Sequence, residues 1–368
     1  MARNRAAVIM FDSFFNPKMP VLAIDLSDRS MKFARAKRYG VKRRIVGALR
    51  ADLPDGLVVQ GRVQQSEALA KTIRDTLRSP QAKSLRVAGA AMTLPEEHCF
   101  VRVVRVPRLP KDELAQAVRW EAEAAIPIPA AEAVLSWEIA EDKNAADHFD
   151  VLVAGASRDL VQGYAETLQR VPLVPIAFEP ASFAIVRALL APADREMVLV
   201  IDFGREHTGI IIAREHQVLV TANVPIASRI FTERVAGARK ISIEQAERVK
   251  REVGILPQGE GIATREALAP TLDELVKQIQ QFFTFSETHA HVDLPKGAPL
   301  QGMRVGRVLL SGGEAPMPGL AEYFSQALGV PVATGDPLRN LFKTDKRLVG
   351  HPLFSSVVGL ALHGLEGS

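Results

Sequence analysis

A two-lobed α/β protein built by duplication of one strand–turn–strand unit is the fold class that this sequence predicts, and three observations carry it. Val21-Leu22-Ala23-Ile24-Asp25 returns as Val198-Leu199-Val200-Ile201-Asp202. Each copy leads through a small polar turn into a second β-rich run, Met31 to Lys37 and Gly209 to Arg214. Strands and helices alternate around both copies, the pattern of sheets covered by helices.

Length and composition agree. At about 150 residues per domain, 368 residues allow two to three domains and a large core. With 47% hydrophobic and 24% charged residues, the chain is globular rather than disordered or collagen-like. The net charge of +4 is diluted along the whole length, so no nucleic-acid partner is expected. A single cysteine, Cys99, excludes an internal disulfide and a multi-cysteine zinc site, and fits a reducing compartment. No apolar run reaches the roughly 18 residues of a membrane span. Residues 1–17 hold Arg3, Arg5, Phe11, Phe14 and Phe15 without the long apolar stretch of a secretory signal, and read as a surface anchor or docking tail, mobile in isolation.

In the first turn Ser27 and Ser30, and in the second Gly204 and Thr208, are small or hydroxyl residues whose backbone N–H groups can converge on an anion. Asp25 and Asp202 either hold a hydrated Mg2+ across a cleft between the lobes or are ordinary turn residues. Between the copies, Phe149 to Ala156 predicts a strand, Asp159 to Arg170 a helix, Val174 to Phe178 a strand and Pro180 to Leu190 a helix. Ser242 and Gln245 form a capping box for a helix that Gly254 closes, with Glu247 and Lys250 on one side of it. A further helix opens at the Thr271 to Glu274 capping box, and Phe282, Phe283 and Phe285 read as its core contribution. Val305 to Leu310 predicts a strand that runs into Ser311-Gly312-Gly313-Glu314 and Pro318-Gly319-Leu320. There paired glycines either let a flat ligand approach the backbone or make a simple turn.

The order of phosphate turn, phosphate turn, Glu-x-x-Lys helix and glycine pair resembles the actin-like ATPase superfamily. Within it the chain is most similar to the PilM family of type IV pilus assembly proteins, from about Pro20 to the C-terminus. Distinctive matches are Leu53-Pro54-Asp55-Gly56, Pro107-Arg108-Leu109-Pro110, Arg119-Trp120-Glu121-Ala122-Glu123, Ile126-Pro127-Ile128-Pro129 and Phe178-Glu179-Pro180. The resemblance implies an actin-like fold with duplicated ribonuclease-H-like halves and a small α/β subdomain inserted in the first lobe. The expected boundaries are a tail at 1–17, the first lobe at 18–96 and 149–192, the subdomain at 97–148, and the second lobe at 193–350 with a helical part near 225–300. A C-terminal helix at 351–368 is expected to return to the first lobe.

It further implies ATP and Mg2+ as cofactors, bound through Asp25, Ser27, Arg29, Ser30, Lys32, Asp202, Gly204, Thr208, Glu247, Lys250, Gly312, Gly313 and Glu314. The implied partner is the cytoplasmic N-terminal segment of a PilN-like inner-membrane protein, with other pilus platform and motor proteins beside it and a cytoplasmic location at that membrane. An unfolded peptide needs apolar anchors to offset its ordering entropy, and Trp120, Ile126 and Ile128 with Arg102 or Arg105 are candidates. The same residues also read as subdomain core. Type II secretion and cell-division relatives, or a nucleotide-free scaffold, are the neighbouring readings.

Two departures bear on hydrolysis. The family's first turn, Asp-x-Gly-Ser-Ser-Ser-x-Lys, here reads Asp25-Leu26-Ser27-Asp28-Arg29-Ser30-Met31-Lys32, without its glycine and with an added acid. If that position needs positive φ, the loss costs about 1 to 2 kcal/mol, and Asp28 either repels phosphate or points to solvent. The second turn carries Arg205-Glu206-His207 in place of small residues. Glu179 either orients an attacking water or caps the helix that Pro180 begins, so a weak ATPase at most is expected. His289 and His291, two apart on a helix, face different ways and make a poor metal pair.

Overall fold

Every side chain from Val21 to Leu26 is buried, as a strand covered on both faces requires. The computed structural model describes residues 19–126, 128–129, 131–139, 147–289, 305–344 and 349–365, and β1 (Val21–Ser27) is the central strand of its first sheet. β2 (Ser30–Tyr39) and β3 (Lys42–Asp52) follow antiparallel on one side. A small hairpin of β4 (Val58–Val59) and β5 (Arg62–Val63) and helix α1 (Ser66–Arg78) lead to β6 (Gly89–Leu94), parallel to β1 on the other side. Then come β7 (Cys99–Pro107), α2 (Lys111–Ala125), β8 (Ala133–Ile139), β9 (His148–Ser157) and α3 (Arg158–Arg170). β10 (Val174–Pro180) completes the sheet in the order β10-β6-β1-β2-β3, and α4 (Ala181–Leu189) follows it.

The second sheet repeats this plan. β11 (Met197–Phe203), β12 (Thr208–Arg214) and β13 (Gln217–Val224) are antiparallel; α5 (Ser228–Arg239), α6 (Ile243–Glu252) and α7 (Gly261–His289) intervene. β14 (Val305–Gly312), α8 (Leu320–Leu328) and β15 (Val332–Thr334) give the order β13-β12-β11-β14-β15, before the last helix α9 (Ser355–His363). Both sheets therefore run third, second, first, fourth, fifth. Asp25 is the register partner of Lys32 and Asp202 that of Gly209, so the repeated pentamers occupy equivalent strands. In the second sheet's core, Phe203 packs between Phe231 and Phe324 at ring separations of 6.1 and 6.0 Å.

Contacts divide the described residues into two units. One comprises those up to Ala188, Pro337 to Gly350 and Ser356 onward; the other comprises Leu189 to Asp336 and His351 to Ser355. The described residues among 337–350, a stretch expected in the second lobe, fall in the first unit. The strand at 149–156, expected in the continued first lobe, pairs with β7 and β8 in a separate sheet of order β7-β9-β8, whose core α2 covers with Leu114, Ala117, Val118 and Ala122. The helix expected to open at Thr271 begins at Gly261 and continues through Pro270. Proline forfeits one helical hydrogen bond, but buried Leu268, Leu272, Leu275 and Ile279 anchor the helix on both sides of it. The tail 1–17, residues 140–146 and His291 lie outside the described residues. Among the described residues no helix is long and apolar enough to cross a membrane.

Candidate functional site

The first turn is a closed polar cluster. Asp25 Oδ2 accepts from Lys32 Nζ at 2.6 Å and from Ser356 Oγ at 2.8 Å, and Oδ1 accepts from Thr93 Oγ1 at 2.6 Å. All four residues are buried. Burial alone would push the carboxyl up, but the Lys32 charge and the three hydrogen bonds outweigh it and hold Asp25 below the usual range. Ser27 and Ser30 hydrogen-bond each other through their hydroxyls at 2.9 Å. No residue from Asp25 to Lys32 has positive φ, so the missing glycine imposes no backbone strain here.

Asp28 does not point freely into solvent. Its carboxylate accepts the backbone N–H groups of Gln60 at 2.8 Å and Gly61 at 2.9 Å. These form the tight turn between β4 and β5, where both residues have positive φ. Tyr164 donates to the Gly61 carbonyl at 2.9 Å, and His98 Nε2 lies 2.7 Å from the Gln60 carbonyl. A Cβ on Gly61 would lie 2.7 Å from Pro95, so the turn is fixed from several directions. Arg29 pairs with Asp55 on the surface.

Glu179 is buried at the end of β10, with Arg187 donating to both carboxylate oxygens at 2.8 and 3.1 Å and His363 Nδ1 at 2.8 Å. Desolvation raises its pKa, but the Arg187 and His363 charges outweigh that and bring it to about 2. The helix-capping reading needs correction: Glu96, not Glu179, accepts the Ser182 N–H of α4, at 2.9 Å. Nothing in the local sequence flags Glu96, which is 86 residues distant from that amide.

In the second unit, the capping box of α6 forms in both directions, at 3.2 and 2.9 Å, and orients the helix that carries Glu247 and Lys250. Lys250 is buried and lies 2.7 Å from Glu314 and 3.2 Å from Glu247. Ser228 and Thr232 of α5 donate to Glu314 and Glu247 in turn. The Glu-x-x-Lys helix and the glycine-pair turn therefore meet in one network. Gly312 has φ +87, and a Cβ there would lie 2.3 Å from the Phe203 carbonyl oxygen; at Gly313 the nearest atom would be Leu353 Cδ1 at 3.9 Å. Bare backbone at Gly313 thus faces room. Gly254 (φ +62) and Gly319 (φ +83) let the end of α6 and the start of α8 approach closely, since a Cβ on Gly254 would lie 2.2 Å from the Pro318 carbonyl oxygen.

The second turn is tied to α5 by Ser228 N–H to Gly204 carbonyl at 3.1 Å and Arg229 N–H to Arg205 carbonyl at 3.2 Å. Thr208 is buried and donates to the Ile226 carbonyl. His207 Nδ1 and Ser311 Oγ are buried without a hydrogen-bond partner among the described residues. Ser311 is the register partner of Asp202. Buried polar atoms of this kind are costly unless something binds them.

In the small subdomain Trp120 stands 64% exposed on α2, outside the core. Ile126 and Ile128 pack on the core cluster, as does Trp137, which sequence reasoning did not single out. Arg105 lies 3.3 Å from its register partner Asp150, and Arg102 donates to the Val101 carbonyl at 2.9 Å.

A family model described as type IV pilus assembly protein PilM matches residues 23–364. A solved PilM–PilN type IV pilus biogenesis complex is similar at 26% identity and TM-score 0.77, over 95% of this chain and all of that one. The ethanolamine utilization protein EutJ from Carboxydothermus hydrogenoformans shares the fold at 16% identity and TM-score 0.54, over 95% of this chain and 92% of that one. MreB5 of Spiroplasma citri bound to AMPPNP does so at 12% and 0.53, over 94% and 96%. The cell division protein FtsA of Neisseria meningitidis serogroup B is 25% identical over 232 residues, 59% of this chain and 55% of that protein. The chain spans about half the length of the curated relatives it matches. Fold and expectation agree: the architecture is the actin-like one.

Proposed function

Because the chain belongs to the type IV pilus assembly protein PilM family, we propose that it is a scaffold of the pilus assembly platform that captures the cytoplasmic N-terminal segment of a PilN-like inner-membrane protein. Its place is then the cytoplasmic face of that membrane, held there through partners. The carrying observation is Trp120, a large aromatic left 64% exposed on a helix whose opposite face is fully packed. Exposed aromatics of this kind are characteristic anchors for a peptide with no fold of its own. Titration of the full chain with the N-terminal peptide of its PilN-like partner tests this: saturable binding supports the reading, and no binding overturns it.

ATP is the proposed second ligand, with hydrolysis slow or absent. In the second unit, the unpartnered His207 and Ser311 atoms and the open backbone at Gly313 fit a nucleotide, whose phosphates and Mg2+ would supply the missing partners. In the first unit, Asp25 already accepts from Lys32, Thr93 and Ser356, and Glu179 is engaged by Arg187 and His363. That closure favours a nucleotide-free scaffold as the second reading. Calorimetry with Mg-ATP, read beside phosphate release, separates them. Heat without turnover supports the first reading, no heat leaves the second, and rapid turnover overturns both.

A further inference from the structure

β1 pairs with β2 only as far as Ala34, whereas β2 and β3 continue together to the pair Tyr39 and Lys42. The 35–44 ribbon thus extends past its pairing with β1; its tip, Lys37 to Arg44, is exposed except at half-buried Arg43, whereas Ala36 is buried and Arg35 donates to the Ser84 carbonyl at 3.0 Å. Its sequence, Arg-Ala-Lys-Arg-Tyr-Gly-Val-Lys-Arg-Arg, has six cations and no acid. Lys37 is opposite Arg44 and Arg38 opposite Arg43, like-charge pairs that weaken a ribbon. Gly40, at φ +61, opens the two-residue tip, and Val41 beside it is 96% exposed; Tyr39 is 56% exposed.

A second segment joins this tip. Phe342 donates its backbone N–H to the Arg43 carbonyl at 2.8 Å and is 39% exposed, with Lys42 Nζ 4.0 Å and Lys343 Nζ 5.3 Å from its ring centroid. Cations on an edge strand do protect against unwanted pairing. They do not account for an aliphatic side chain at the apex with two aromatics beside it. Apolar tips within a cationic collar match the boundary between headgroups and acyl chains, where Val41 and the rings enter and the cations meet phosphate. A nucleic-acid backbone would engage the cations but has no place for an exposed valine.

We propose that the 35–44 ribbon, with Phe342, is a docking finger for an anionic phospholipid surface, acting directly and independently of any PilN-like partner. The test is flotation of the full chain with phosphatidylcholine vesicles with and without phosphatidylglycerol, in rising salt. The protein is expected to float with the anionic vesicles only and to be released by salt. Combined Lys37→Gln, Lys42→Gln and Arg44→Gln replacement should weaken that binding at least about tenfold. Val41→Asp, which keeps all six cations, should weaken it too, with an unchanged melting temperature in each case. Failure to float with anionic vesicles overturns the proposal. So does undiminished binding by folded variants, which would assign the contact to another segment. Competition by duplex DNA for the same residues without vesicle binding would likewise overturn it and make the ribbon a nucleic-acid contact.

Discussion

Lys32 and Asp25 face each other across the first hairpin with 2.6 Å between charged atoms, both of them buried. Lys32→Met should therefore be severely destabilising, by about 3–5 kcal/mol, because it leaves the Asp25 carboxylate buried beside only Thr93 and Ser356. Denaturant unfolding at neutral pH measures it, and a smaller loss in acid, where the orphaned carboxyl takes up a proton, is the accompanying signature.

Glu179 gives the first unit an acid-sensitive lock. Folding lowers its pKa from 4.5 to about 2, so its contribution is complete above pH 4.5 and is lost as pH falls toward about 2. For a buried group a shift of this size corresponds to roughly 3 kcal/mol. Glu179→Gln should be less stable than the parent at pH 7 and converge with it near the acid end of that window in denaturant melts.

Adjacent glycines should respond oppositely to one methyl group. Gly312→Ala forces a Cβ into the Phe203 backbone at a positive φ and should cost more than about 2 kcal/mol. Gly313→Ala meets nothing closer than 3.9 Å and should leave the melting temperature nearly unchanged while weakening Mg-ATP binding.

Asp28→Ala removes the acceptor for two backbone amides and should cost about 1–3 kcal/mol. Nucleotide affinity should not rise, as it would if the carboxylate repelled phosphate. A thermal melt paired with an Mg-ATP titration reads both effects.

Trp120→Ala should keep its stability within about 0.5 kcal/mol, as surface changes do, yet weaken binding of the PilN-like peptide. Tryptophan fluorescence gives an independent reading, since Trp137 is the one other indole in the chain.

The duplication was legible because both copies kept a strand, an aspartate and a hairpin in the same register, and the capping box at Ser242 is a local signal that needs no distant partner. What escaped was long-range. The fate of Asp28 is decided by a turn more than thirty residues on, and the cap of α4 by Glu96 from another part of the chain. The apolar pattern of β9 announces a strand but not which sheet receives it. For the same reason the Thr271 box marked a helix correctly and misplaced its start, since tertiary burial overrode the proline.

Ser356 and His363 lie almost at the end of the chain, yet they complete the partners of Asp25 and Glu179 near its beginning and middle. On a translating ribosome, the first unit thus starts before the second and is completed after it, and its two buried acids wait for α9 to emerge. Tags or stop codons placed before that helix would produce an incompletely folded polypeptide rather than a shortened functional one.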